Sequence, residues 1–185
     1  MQTVYVFMGM VASGKSTLAE RFSGQYGLPY YNTDRVRKEL AGLNPSDRRA
    51  DAVNQGIYAR EFTRNTYQAM LDLASEDLDA GRPGVILDGS YASKEERAKV
   101  RKLAADHRAG YVFILCFCNE DEVRRRLEKR ARDPEAVSDG RWEIYQQQKK
   151  NFVRPDELGK SEFIAMDTAM DVQKLVETLS RTLNM

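Results

Sequence analysis

Residues Gly9-Met10-Val11-Ala12-Ser13-Gly14-Lys15-Ser16 have the form G-x-x-x-x-G-K-S and follow directly on an apolar run, residues 3–8, that reads as a buried strand. Two glycines let the backbone curl until successive N–H groups point inward at an anion, and Lys15 adds a mobile positive charge for β- and γ-phosphates. Ser16 offers a hydroxyl to Mg²⁺, and the helix that opens there aims its positive dipole end at the same phosphates. Leu18, Ala19, Phe22 and Tyr26 recur at helical spacing after the loop, which is the strand–loop–helix context such a cradle needs. Gly9, Ala12, Ser13, Gly14, Lys15, Ser16 and Thr17 are therefore the expected polyphosphate-binding residues, with Lys15 also catalytic and Ser16 also a metal ligand.

A chain of 185 residues with 42% hydrophobic content is expected to form one domain, 1–185, around a single core. Lys plus Arg number 29 and Asp plus Glu 28, so a net charge of +1 gives no whole-molecule attraction to nucleic acid or to an anionic membrane. Polyanion binding would have to come from a local patch. No run approaches the length of a membrane span, and no basic, cleavable leader precedes the first strand, so a cytoplasmic location is expected. Cys116 and Cys118 lie two apart in an apolar run and are expected to share one strand face as reduced core residues.

Short β-like runs at 3–8, 29–32, 85–87, 111–117 and 162–166 alternate with helical patterns at 16–26, 35–40, 57–80, 94–108, 120–131, 140–151 and 171–183. Such alternation predicts an α/β fold with a parallel sheet covered on both faces. Two connections look mobile: an acceptor loop near 42–56, rich in turn residues, and a lid near 126–140.

Asp34 follows the second strand, at the sheet edge where the γ-phosphate would lie, and can take the proton of an attacking hydroxyl. Arg37, one helical turn on, can grip an anionic group of the acceptor; Asp34 and Arg37 are the expected substrate-binding pair. The run 84–88 closes on Asp88 and resembles a Walker B element, whose carboxylate binds Mg²⁺. Arg126 and Arg130 are i,i+4 neighbours on one helix face and are expected to meet the charge of the departing γ-phosphate, with a Glu122–Arg126 surface pair as the plainer alternative. Trp142 is expected to pack rather than stack on a base, and Asp167-Thr168 either touches the base or caps the last helix.

Taken in order, the Gly9–Ser16 loop, the D-x-x-R element Asp34-Arg35-Val36-Arg37, the strand end at Asp88 and the Arg126/Arg130 pair resemble small P-loop kinases of the polynucleotide kinase and zeta-toxin type. The stretch 34–42 and Gly56-Ile57-Tyr58 are similar to bacterial kinase domains often fused behind an aminoglycoside-phosphotransferase-like domain. The resemblance implies a three-layer, nucleoside-monophosphate-kinase-like P-loop NTPase with a five-stranded parallel sheet of order 2-3-1-4-5, an arginine-bearing lid and ATP-Mg²⁺ as donor. It further implies that Asp34 is the general base and that Arg37 contacts a substrate phosphate. The expectation is an ATP-dependent phosphotransferase acting on a hydroxyl of a small, anionic or nucleotide-like acceptor, with a nucleic-acid end as a further candidate and no membrane partner. A nucleotide-hydrolysing switch without a second substrate is the alternative; it has no need of Asp34 and Arg37.

Overall fold

Strand β1 (Thr3–Met8) runs through the centre of the molecule, and its alternation decides the layers. Val4, Val6 and Met8 turn to one face, where they meet α3 (Arg60–Asp79) and α4 (Lys94–Asp106) through Met70, Ala74, Val100 and Ala104. Tyr5 and Phe7 turn to the other, against Leu18 and Phe22 of α1 (Lys15–Tyr26) and Leu175, Val176 and Leu179 of α7 (Val172–Leu183). Strands β2 (Tyr30–Asn32), β3 (Gly84–Gly89), β4 (Gly110–Phe117) and β5 (Phe163–Asp167) complete an all-parallel sheet of order β2-β3-β1-β4-β5. Three helices remain: α2 (Thr33–Leu40), α5 (Glu120–Ala131) and α6 (Trp142–Asn151). The last two form a third apolar cluster with the loop after β1, through Val11, Ala12, Val123, Leu127 and Tyr145.

These coordinates come from a computed structural model that describes residues 1–44, 47, 56–133 and 140–185. Residues 45, 46 and 48–55 of the acceptor loop expected near 42–56, and 134–139 of the lid expected near 126–140, lie outside the described residues. No helix among the described residues is long and apolar enough to cross a membrane.

Because every strand is parallel, the loops after β1, β2, β3 and β5 open on one edge of the sheet. Register then sets neighbours: Asn32 pairs with Asp88, and Asp88 with Phe7. Just past β3, Tyr91 is buried with φ at +44°, a conformation that costs a side-chain-bearing residue about 1–3 kcal/mol. Local bonds hold it there. The Tyr67 hydroxyl accepts from the N–H groups of Ser90 and Tyr91 at 3.1 and 3.2 Å, and buried Arg97 donates to the Tyr91 carbonyl at 2.7 Å and to Glu157 at 2.5 Å.

Several features depart from the expectations for local reasons. Helix α2 begins at Thr33 rather than 35, because the Asn32 side chain caps it, accepting from the N–H groups of Asp34 and Arg35 at 3.0 and 3.2 Å. The helix expected over 57–80 is split into a 3-10 turn, Gly56–Tyr58, and α3. Asp171, not Asp167 or Thr168, caps α7, its carboxylate accepting from Gln173 and Lys174. Strand β4 ends at Phe117, so Cys116 is buried while Cys118 lies half-buried beyond the strand.

Candidate active site

The phosphate-loop motif forms a tight turn with left-handed or extended positive φ at Gly9 (+145°), Ala12 (+60°) and Gly14 (+83°). Gly14 is also the N-cap of α1, and a Cβ there would stand 2.7 Å from both Arg126 Nη1 and Thr168 Oγ1, so no larger residue fits. Having no side chain, it leaves the first-turn N–H groups of α1 uncapped, and these have no intrahelical acceptor. Lys15, Ser16 and Thr17 accordingly line a cavity of about 680 Å³, whose wall also includes Ala12, Asn32, Asp34, Arg126, Arg130 and Thr168.

Side chains from three other elements hold the loop from behind. Gln148 of α6 accepts from the Val11 N–H at 2.6 Å. Buried Thr168, just past β5, donates its hydroxyl to the Ser13 carbonyl at 2.6 Å. Arg126 of α5 donates Nη1 to the Ala12 carbonyl at 3.2 Å and to Thr168 Oγ1 at 3.0 Å, and Nη2 to the Thr168 carbonyl at 2.5 Å. Glu122 fixes the other side of the Arg126 guanidinium at 2.7 Å. The hydrogen bond from Arg125, with that from Arg126, holds the Glu122 carboxyl down at about 2. The Glu122–Arg126 pair thus exists, and Arg126 faces the cavity all the same. Trp142 packs: it stacks on Tyr145 with ring centroids 5.1 Å apart, and Arg124 lies 3.6 Å over its ring.

Beside the loop, Asp88 is fully buried and does not line the cavity. Its Oδ2 accepts from the Tyr30 hydroxyl at 2.7 Å and from Asn32 Nδ2 at 2.6 Å. Its Oδ1 has no hydrogen-bond partner among the described residues. Burial, reinforced by the Asp88 charge, pushes the Tyr30 phenol far above its usual value, so it stays a donor. Asn32 Nδ2 also donates to Ser16 Oγ at 3.4 Å, which brings the two expected metal ligands into one hydrogen-bonded group. An unpaired buried oxygen on a carboxylate that shares its amide donor with a loop hydroxyl fits a divalent cation or its water.

Across the cavity, Asp34 sits half-buried in the first turn of α2. Arg37 is buried, donates Nη1 to Asp34 Oδ1 at 3.3 Å and lies 4.9 Å over the Tyr58 ring. Its Nε has no hydrogen-bond partner among the described residues. Arg130 lines the same cavity as Asp34; burial lowers its guanidinium from the usual range, and the Asp34 charge works against that lowering. Of the expected site residues, Ala12, Gly14, Lys15, Ser16, Thr17, Asp34, Arg126 and Arg130 thus share one cavity, whereas Gly9, Ser13, Arg37 and Asp88 adjoin these residues without lining it.

Four supporting residues carried no assigned role in the sequence reading: Tyr30, Asn32, Tyr58 and Gln148. Asn32 had a legible signal, an amide two positions before an acidic residue at a helix start. Gln148 had none, since its contact spans 137 positions of the chain.

The sequence pattern of the AAA domain family matches residues 4–155. An uncharacterized protein of Mycobacterium tuberculosis is 32% identical over 123 residues, which is 66% of this chain and 24% of that protein; the chain thus spans about a quarter of the length of that relative. The adenylate kinase of Mycolicibacterium smegmatis is 29% identical over 151 residues, 77% of this chain and 80% of that enzyme. Among solved structures, a sugar kinase from Janibacter sp. superposes with a TM-score of 0.70 at 19% identity, covering 100% of this chain and 95% of that one. The shared fold is that of P-loop kinases.

Proposed function

The chain belongs to the AAA domain family, and from that premise we propose that it is an ATP-dependent kinase transferring the γ-phosphoryl group to a hydroxyl of a small anionic or nucleotide-like acceptor. The observation that carries this reading is the grouping of Lys15, Asp34 and Arg130 around one cavity, donor groups on one wall and a carboxylate on the other. Lys15 and the loop N–H groups hold the β- and γ-phosphates, with Gly9, Ala12, Ser13, Gly14 and Thr17 shaping the cradle. Ser16 and Asp88 hold Mg²⁺, which when bound neutralises charge on the phosphate oxygens. Asp34 orients the acceptor hydroxyl and takes its proton as the new O–P bond forms and the bond to the β-phosphate oxygen breaks, releasing ADP. Arg130, on the cavity wall with Asp34, meets the charge that develops between donor and acceptor, while Arg126 serves the nucleotide side.

Arg37 supports an anionic acceptor, since a buried guanidinium with one nitrogen unpaired suits a phosphate or carboxylate held beside Asp34. The net charge of +1 favours a small acceptor over a polynucleotide, and the adenylate kinase relative agrees with that. Within the P-loop kinases, the D-x-x-R element supports kinship with the polynucleotide kinase and zeta-toxin type. The test is transfer from labelled ATP to nucleotides, sugars, sugar acids and a 5′-hydroxyl oligonucleotide at two salt concentrations, with Lys15→Met as the inactive control. Salt-insensitive transfer to a small anionic alcohol is expected. Efficient transfer to the oligonucleotide that falls steeply with salt would reverse the preference on acceptor size. ATP hydrolysis indifferent to every acceptor would make the protein a switch.

A further inference from the structure

Both amide atoms of Asn32 are engaged, and they lead in opposite directions. Oδ1 accepts from the first-turn N–H groups of Asp34 and Arg35 and so caps α2. Nδ2 donates to Asp88 Oδ2 at 2.6 Å and to Ser16 Oγ at 3.4 Å. The side chain is buried, and the β2–β3 register puts Asn32 level with Asp88. Tyr30 donates to the same Asp88 oxygen, so two donors fix the carboxylate's rotation and leave Oδ1, buried and unpartnered among the described residues, as the free oxygen. Leaving such an atom unsatisfied is costly, most of all for a charged group, which marks it as held ready for a ligand.

We propose that Asn32 is a positioning residue that ties the Asp88 carboxylate to the start of α2, so that the metal-facing oxygens of Ser16 and Asp88 keep a fixed spacing from Asp34. The proposal rests on the reading of Ser16 and Asp88 as the metal-holding pair. The side-chain chemistry is restrictive: the residue must accept at one atom and donate at another. Aspartate would cap α2 equally well but would set a second negative charge against Asp88. Serine would cap α2 yet fall short of Asp88.

Asn32→Ser therefore separates the two functions of the residue, and Tyr30→Phe removes the other donor to Asp88. A fluorescent ATP analogue is titrated with EDTA and with Mg²⁺ against the parent, Asn32→Ser, Asn32→Ala, Tyr30→Phe and Asp88→Asn, with hydrogen exchange followed at the Asp34 and Arg35 amides. In Asn32→Ser, metal-free binding and exchange at the two amides should match the parent, while the tightening produced by Mg²⁺ should fall about tenfold, the usual scale for a partner that orients a metal ligand. Tyr30→Phe should show a smaller loss of the same kind. Asn32→Ala should add faster exchange at both amides and slower transfer to the acceptor. Full Mg²⁺ tightening in Asn32→Ser beside a loss in Asp88→Asn would overturn the role of Asn32 alone. Full tightening in Asp88→Asn as well would remove the metal assignment on which it rests.

Discussion

On the donor side of the cavity, main-chain atoms of Val11, Ala12 and Ser13 are each bonded by a side chain from a different part of the chain, Gln148, Arg126 and Thr168. On the proposed acceptor side, Arg37 pairs with Asp34 and lies over the Tyr58 ring, within α2 and the 3-10 turn that precedes α3. The donor wall is thus a backbone shape locked by long-range bonds, and the acceptor wall is a small set of side chains on a short helix and the 3-10 turn against it. A polyphosphate is the same in every reaction of this kind, so a rigid backbone cradle suits it. Acceptors differ, and side chains on a short helix can change without disturbing the cradle. Substitutions on the two walls should accordingly separate nucleotide binding from transfer.

The largest effect is expected from Asp34→Asn, with transfer lowered about 10²–10⁴-fold and ATP affinity unchanged. Weaker ATP binding with parental turnover would instead give Asp34 to the donor wall and break the division. Next in size, Arg130→Ala should lower kcat by about 10²–10³-fold, the scale for removing one donor to developing charge. Arg126→Ala should act mainly on the KM for ATP and on thermal stability, because it releases the Ala12 carbonyl and Thr168. Steady-state kinetics of the two alanine variants side by side check this, and equal effects on kcat would merge their roles.

Arg37→Ala should raise the acceptor KM about 10- to 100-fold while the KM for ATP stays within a few-fold, from the loss of one charge-assisted contact of about 1.5–3 kcal/mol. An acceptor KM that does not move would turn Arg37 into a partner of Asp34 alone. The smallest effect concerns Glu122, whose carboxyl is lowered in the folded chain from 4.5 to about 2. A depressed carboxylate stabilises the fold fully above the unfolded value and loses that contribution as pH falls through the folded one. The Tm difference between the parent and Glu122→Gln should therefore be constant above about pH 5 and shrink as pH falls toward 2. Because the pair is partly exposed, added salt should also reduce it.

The sequence made the strands, their alternation with helices and the phosphate loop legible, because each rests on local periodicity or on residues close together in the chain. It misjudged the places where one side chain decides a boundary. Asn32 ends β2 as its sequence implies, but its side chain also caps α2, which places that helix start two residues earlier than the pattern suggests. The cap of α7 is Asp171 rather than Asp167 or Thr168, while Thr168 donates to the Ser13 carbonyl and lines the cavity. Tyr58 was read into a continuous helix, but it lies in the 3-10 turn with the Arg37 guanidinium over its ring.

By itself the sequence determined the shape of the loop and the order of the elements, since a glycine-containing turn between strand and helix leaves the first-turn N–H groups of the helix open by backbone geometry. Only the tertiary structure decided which distant side chains meet. Parallel pairing set Asn32 level with Asp88, the packing of α5 brought Arg126 against the loop, and the turn after β5 supplied Thr168. The physical reason is that hydrogen bonds joining positions as far apart as 155 residues leave no local periodicity in the chain. They arise from sheet register and helix packing, which form only when the whole core closes.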